Sequence, residues 1–345
     1  MRDGGGVMRA LTKSCVYAIS AACLLTLISG CGSGGESGTS GLIYTGSTSP
    51  ATLTSNNSAI LVGGAYTGGN SGILIGGLTA GLTNYGSGAS RRPRSLVLSD
   101  ALLTFIHLTS IDDTLARPEI AATVNSIPSS TLHGNCGGSA TVNGSYDDGD
   151  KTLSLTANLS NFCQDGTTLN GTVGASGQAV VDTQNNINIS SISITLAQLT
   201  ASYSGDSFTA DGSMTIAPQS GYPYIANNNV LTIDMLFEDN ATAKVFKLEN
   251  FTISQSLTTA ASPYADMTIT GRYYAPDEGY IDLSTPTAIH VMAGDGWPSS
   301  GSLRGTGNNS SATLTALDNN AYRLDVDTDN NGSSDYTENA LWGDL

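Results

Sequence analysis

"CGGSATVNGSYDDGDKTLSLTANLSNFC", residues 136–163, reads as one β-hairpin folded about its own middle. Apolar and hydroxyl residues alternate on both sides of an acidic, glycine-bearing centre, the pattern of two half-buried strands joined by a turn. A two-residue turn at Gly149-Asp150, with glycine first, fits type II′. Asp148 then opposes Lys151, Tyr146 opposes Leu153, Val142 opposes Ala157 and Ala140 opposes Leu159. The same register sets Cys136 opposite Cys163 on the apolar face. Directly opposed antiparallel residues lie ~4.5–5.5 Å apart at Cα, within disulfide range, so the hairpin is expected to be stapled at its open end.

The strand texture continues to the C-terminus. Turn pairs recur at Asp148-Gly149, Asp165-Gly166, Gly205-Asp206 and Asp239-Asn240. Ile187 and Ile189 share one parity and Ile192, Ile194 and Leu196 the other, so a bulge near Ser190-Ser191 is needed to keep one buried face. Further strands are expected over Val230 to Phe237, Ala243 to Ser256 and Tyr264 to Tyr273. Short connections make neighbouring strands antiparallel. The fold class is therefore mainly β, an antiparallel meander forming a barrel or a sandwich. Residues 95–275 are expected as its main domain. Pro, Gly, His and Trp gather around 276–298, which suggests a smaller C-terminal β subdomain over 276–345.

Upstream the texture changes. Residues 32–90 hold 16 Gly in 59 positions and residues 91–345 hold 21 in 255, so 31–94 reads as a Gly-rich tether. One short helix is expected inside it, capped by Ser55 and ended by Gly63-Gly64. A second is expected over "SLVLSDALLTFIHLTSIDD", residues 95–113, with Leu98, Leu102, Phe105, Ile106 and Leu108 near one side. A buried strand over Leu103 to Leu108 is the rival there.

Arg9 and Lys13 precede an apolar run from Val16 to Ile28. Thirteen residues reach roughly 20 Å as a helix, short of a bilayer's ~30 Å apolar core, so the run fits a signal peptide over residues 1–30. Met8 makes a better start for such a peptide than Met1. Ile28-Ser29-Gly30-Cys31 resembles the lipobox of bacterial lipoproteins. That resemblance implies cleavage before Cys31, lipidation of its thiol, and three acyl chains of the palmitate class that hold the chain on a membrane. Gly32 stands after the cysteine with no Asp, which by the same resemblance implies the outer membrane of the cell envelope. The segment that follows is similar to the leading portion of uncharacterised bacterial envelope lipoproteins, a likeness that implies no activity. Cys15 and Cys23 leave with the signal and Cys31 takes lipid. Cys136 and Cys163 remain, an even pair in an oxidising compartment.

The chain from Cys31 onward carries 10 Lys/Arg against 28 Asp/Glu, a formal charge of −18. Such a surface repels nucleic acid, which is excluded as a partner. Arg91-Arg92-Pro93-Arg94 is the only basic cluster, and it reads as a solvated linker end.

One stretch has the spacing of an ion loop: "DTDNNGSSDYTE", Asp327 to Glu338. Asp327, Asp329, Asn331, Asp335 and Glu338 stand at positions 1, 3, 5, 9 and 12, with Gly332 at 6 and the Ser333 carbonyl at 7. It resembles the calcium loops of EF-hands and of Asp-rich bacterial repeats, and implies one structural Ca²⁺. Two features depart from that pattern: Ser334 replaces the usual aliphatic residue, and Tyr322, Leu324 and Val326 alternate like a strand. The alternative is a plain hairpin tip at Asn331-Gly332.

Catalytic signals are sparse. None of His107, His133 and His290 lies three or four residues from another His, and no Cys pair offers zinc spacing. Gly205 to Phe208, "GDSF", resembles the nucleophile block of GDSL-type esterases, with Ser207 in the nucleophile's place. Those enzymes need a His three residues after an Asp, whereas Thr104, Ser130 and Thr287 stand there. Adjacent acids at Asp112-Asp113, Asp147-Asp148 and Asp277-Glu278 diverge on a strand. Trp297, Trp342, Tyr273, Tyr274 and Tyr280 fit either a core or a carbohydrate surface. Three functions stay open: a non-enzymatic envelope module, structural or binding a protein or glycan partner; a periplasmic carrier of an apolar ligand; and a carbohydrate-active hydrolase.

Overall fold

The computed structural model describes residues 41–67 and 125–345, except 148, 165, 182–186, 224, 226, 259–263 and 293–294. Cys31, the Arg91–Arg94 cluster and the 95–113 segment lie outside the described residues.

Alternation builds one sheet. Its strands are β1 (Asn125–His133), β2 (Gly137–Asp147), β3 (Thr152–Gln164), β4 (Thr167–Val181), β5 (Ile187–Tyr203), β6 (Asp206–Pro218) and β7 (Asn228–Asp239). The sheet goes on through β8 (Lys244–Thr258), β9 (Tyr264–Ala275), β10 (Gly279–Met292), β11 (Ser300–Thr306), β12 (Ser311–Ala316), β13 (Ala321–Asp327) and β14 (Tyr336–Leu341). Spatial order equals chain order, and every named pair is antiparallel. β1 and β14 are not hydrogen-bonded neighbours in this order, so the sheet is an open meander and not a closed barrel. Residues 276–345, expected as a subdomain, supply β10–β14 to the same sheet.

Period-2 burial defines the two faces. Along β3, Leu153, Leu155, Ala157 and Leu159 are buried while Thr152, Ser154, Asn158 and Ser160 are open. Alternation likewise buries Ile194 and Leu196 on β5, Leu199 beyond a register shift on the same strand, Met214 and Ile216 on β6, and Ile253 on β8, in one continuous apolar cluster. Each such Leu or Ile side chain contributes roughly 1.5–3 kcal/mol by leaving water.

The hairpin register holds from Ser139↔Ser160 to Asp147↔Thr152, including Ala140↔Leu159, Val142↔Ala157 and Tyr146↔Leu153. Its two ends differ from expectation. Among the described residues the last pair before the turn is Asp147↔Thr152, and Lys151 takes φ 54°, which differs from the type II′ turn expected with glycine first. Near the open end the register slips, and Gly137, not Cys136, pairs with Cys163. The disulfide Cys136–Cys163 still forms, with Cα atoms 5.1 Å apart.

That slip is a bulge with a repeated design. Asn161 takes φ 46° opposite Gly138, where a Cβ would stand 1.8 Å from the Asn161 carbonyl oxygen. Asn250 with Gly271 repeats the arrangement. A left-handed residue against a glycine bends the strand pair and lets a long sheet curve. The expected bulge on β5 is also present: Gln178 pairs Ser191 while Ala179 pairs Ile189, leaving Ser190 as the extra residue.

Residues 41–67, read as tether, pack on the sheet. Ser49 and Ala51 hydrogen-bond with Tyr280 of β10, and Leu53 N–H donates to the buried Ser310 Oγ at 2.8 Å. Helix α1 (58–67) follows. The turn leading into it is tied by Thr54 and not by Ser55: Asn56 N–H donates to Thr54 Oγ1, and Thr54 N–H donates to Asn57 Oδ1. Gly63 and Gly64 do not end α1. They sit where a Cβ would meet Leu345 Cδ2 at 2.2 Å and the Tyr273 hydroxyl at 2.8 Å, so they allow close approach. Leu61, Val62, Ala65 and Tyr66 bury one side of α1. Tyr66 joins Trp297, Trp342 and Tyr322 in an aromatic stack in which the two indoles lie 5.3 Å apart and nearly parallel.

Candidate functional site

The β13–β14 hairpin carries the acidic loop. Val326↔Tyr336 is its last ladder pair, and Asp335 N–H donates to the Val326 carbonyl at 2.8 Å. Beyond that pair the chain must reverse, and Asn330 and Gly332 do so at φ 55° and 90°. The acids then turn inward to satisfy the loop's backbone. Asp327 Oδ1 accepts from Asn331 N–H at 3.1 Å and Oδ2 from Gly332 N–H at 2.8 Å. Asp329 Oδ2 accepts from Asn331 Nδ2 at 3.0 Å, and Asp335 Oδ2 accepts from the Thr328 N–H and hydroxyl.

As a result, carboxylate oxygens of Asp327, Asp329 and Asp335 lie within 4.8 Å of one another. For Asp327, desolvation works to raise the pKa, but the Gly332 and Asn331 N–H donors outweigh it and hold the carboxyl below its ordinary value. The Thr328 hydroxyl, then its N–H, lower Asp335 likewise. Each carboxylate has about four lone-pair sites, so a donor from the loop leaves room for a cation. Three acids converging with an asparagine suit a hard, oxygen-seeking ion.

One expected ligand falls elsewhere. Glu338 pairs with Leu324 in the ladder, and its Oε2 accepts from the Tyr336 hydroxyl at 2.8 Å. In an EF-hand a helix leaves the loop and brings position 12 back. A strand carries it away by ~3.3 Å per residue, which puts Glu338 about 10 Å beyond Asp335. Ser333 uses its N–H, donating to Asn331 Oδ1 at 2.8 Å.

The catalytic alternatives are absorbed by the fold. Ser207 is the second residue of β6, where Ser202 Oγ and Asn240 Nδ2 both donate to its hydroxyl. His290 Nδ1 sits 2.7 Å from Asp266 directly across β9–β10, beside the Tyr264 ring. Asp277 pairs with Lys244 on the surface, and Asp147 caps its own turn through Gly149 N–H. Trp342, Tyr273 and Tyr274 are buried, and Arg272 covers the Tyr280 ring at 3.9 Å. These rings therefore do not form an open aromatic platform.

Sequence reading missed the outer face of the sheet. Ladder pairs link Ser126, Ser145, Ser154, Ser176, Ser193, Thr215, Thr232, Thr252 and Thr270 in one row from β1 to β9. Every member carries a hydroxyl and is exposed or half-exposed. At about 4.8 Å between strands the row runs roughly 38 Å. A parallel row reads Asn143, Thr156, Gly174, Thr195, Ser213 and Asp234, with one charged member.

The fold and its outer surfaces define an open antiparallel β-meander with a filled inner face, a Ser/Thr row across part of its outer face and an acidic hairpin loop. No protein-family model, curated protein or solved structure matches the chain.

Proposed function

We propose that this chain is a lipid-anchored envelope protein that works by binding, presenting its hydroxyl face to a glycan. The observation that carries the reading is the nine-strand Ser/Thr row, a neutral hydrogen-bonding surface on a strongly acidic chain. Glycans offer arrays of hydroxyls without charge, and a uniform donor–acceptor surface matches them without needing an enclosed pocket. Ile28-Ser29-Gly30-Cys31 supplies the anchor, acyl chains on Cys31, and stable anchoring needs more than one such chain. A carrier would instead open its inward side chains to a cavity. Ala157, Ile216, Phe251 and Ile269 are all closed to solvent, which favours binding on the outside.

The test is cosedimentation of the chain from Cys31 onward with insoluble envelope polysaccharide. The chain is expected in the pellet, and Ser154→Glu with Ser193→Glu is expected to release it without changing its melting temperature. A chain that stays in solution, or a double variant that pellets as well as the original, contradicts the reading.

In the same reading Asp327, Asp329, Asn331 and Asp335 hold one Ca²⁺, with water completing the shell that Glu338 does not reach. The affinity expected of an extracellular module is about 10⁻⁴–10⁻³ M. At ~100 times Kd the ion adds about 2.7 kcal/mol to stability. Calorimetry should show heat on calcium addition and a raised melting temperature, both lost in Asp327→Asn. No heat and no thermal shift would remove the ion from the account.

A further inference from the structure

The chain contains three Asn-Gly pairs, Asn143-Gly144, Asn170-Gly171 and Asn331-Gly332. Only the third lies outside a strand. We infer that Asn331 is a site of spontaneous deamidation, with the acidic loop supplying the groups that promote it.

The geometry follows the chemistry. Asn331 Oδ1 accepts from Ser333 N–H at 2.8 Å, so its side chain is turned forward along the chain, across Gly332. Gly332 has no Cβ to obstruct that approach. Its N–H donates to Asp327 Oδ2 at 2.8 Å, and Asn331 Nδ2 donates to Asp329 Oδ2 at 3.0 Å. Attack forms the bond from Gly332 N to Asn331 Cγ. Negative charge develops on Asn331 Oδ1, where the Ser333 N–H already stands. The proton leaves Gly332 N for Asp327 Oδ2. The Cγ–Nδ2 bond then breaks, and that proton departs with ammonia. Water opens the resulting succinimide to aspartate or isoaspartate. No oxidant, reductant or metal takes part, so the inference does not rest on the calcium reading.

A side chain already turned across Gly332 shortens the path to attack, and this is the largest part of the effect. The other two pairs lack it. Gly144 is laddered between Ile127 of β1 and Leu155 of β3, and Gly171 pairs with Leu159. Asn170 Oδ1 is held by Asn161 N–H at 2.7 Å. An aspartate at 331 would add a fourth acid to the loop. An isoaspartate would lengthen its backbone by one methylene.

The experiment is peptide mapping by mass spectrometry after timed incubation of the folded chain with a chelator present. The readout is replacement of NH₂ by OH at each Asn-Gly. Conversion at Asn331 is expected at least about tenfold faster than at Asn143 or Asn170, a difference of ~1.4 kcal/mol in barrier. Asp327→Asn is expected to slow it, and Asn331→Gln to suppress it. Equal rates at the three sites, or no conversion at 331 while the unfolded chain converts there, would overturn the inference. An unchanged rate in Asp327→Asn would overturn the role given to that carboxylate.

Discussion

Trp342→Ala lowers the stability of the folded chain by about 3–5 kcal/mol. The indole is 1% exposed and forms the centre of the aromatic stack, 5.3 Å from Trp297, 4.9 Å from Tyr322 and 5.7 Å from Tyr66. Truncation removes contacts to α1, the β12–β13 region and the 297 loop at once, and surrounding rings cannot collapse into a space of that size. It also removes the bond from Trp342 Nε1 to the Asp318 carbonyl at 3.0 Å. The melting temperature should fall by on the order of 10 °C. Trp342→Phe should recover more than half of the loss. Thermal unfolding followed by tryptophan-independent circular dichroism checks both values. A loss under 1 kcal/mol for the alanine variant would mean that this end of the sheet is not packed as described.

Removal of the disulfide has the second-largest expected effect. Cys136 and Cys163 are 27 residues apart, and a crosslink of that span restricts the unfolded chain by about 3.5 kcal/mol in the chain-entropy treatment. The loss appears as a lower urea midpoint in Cys136→Ser with Cys163→Ser. The effect acts on the unfolded state, because the β2–β3 ladder from Ser139↔Ser160 onward does not depend on the sulfurs. Hydrogen exchange in the folded double variant should therefore remain protected along β2 and β3. Exchange loss across the entire hairpin would show that the bridge holds the ladder in place.

Local chemistry that was symmetric in sequence was legible. The β2–β3 register could be read because a single turn centre ties every pair in the hairpin to one choice. Ile187, Ile189, Ile192 and Ile194 betrayed the β5 bulge by changing parity. Other features depend on partners far away in the chain. Asn161 gives no local sign of a left-handed conformation, since its reason is Gly138 across the ladder. Gly63-Gly64 looks like a helix stop until Leu345 and Tyr273 are seen against it. The Ser/Thr row requires eight successive registers, so one unread bulge hides it. At the acidic loop the convergence of Asp327, Asp329 and Asp335 was legible from spacing, but Glu338 was misplaced because the spacing rule assumes a helix on the exit side.

The central proposal is attachment to a membrane through Cys31. Mass spectrometry of the N-terminal peptide from the membrane-extracted protein tests it most directly. The account predicts a peptide beginning at Cys31 with a thioether-linked diacylglyceryl group. An unmodified Cys31 thiol, or residues 1–30 still attached, would contradict it.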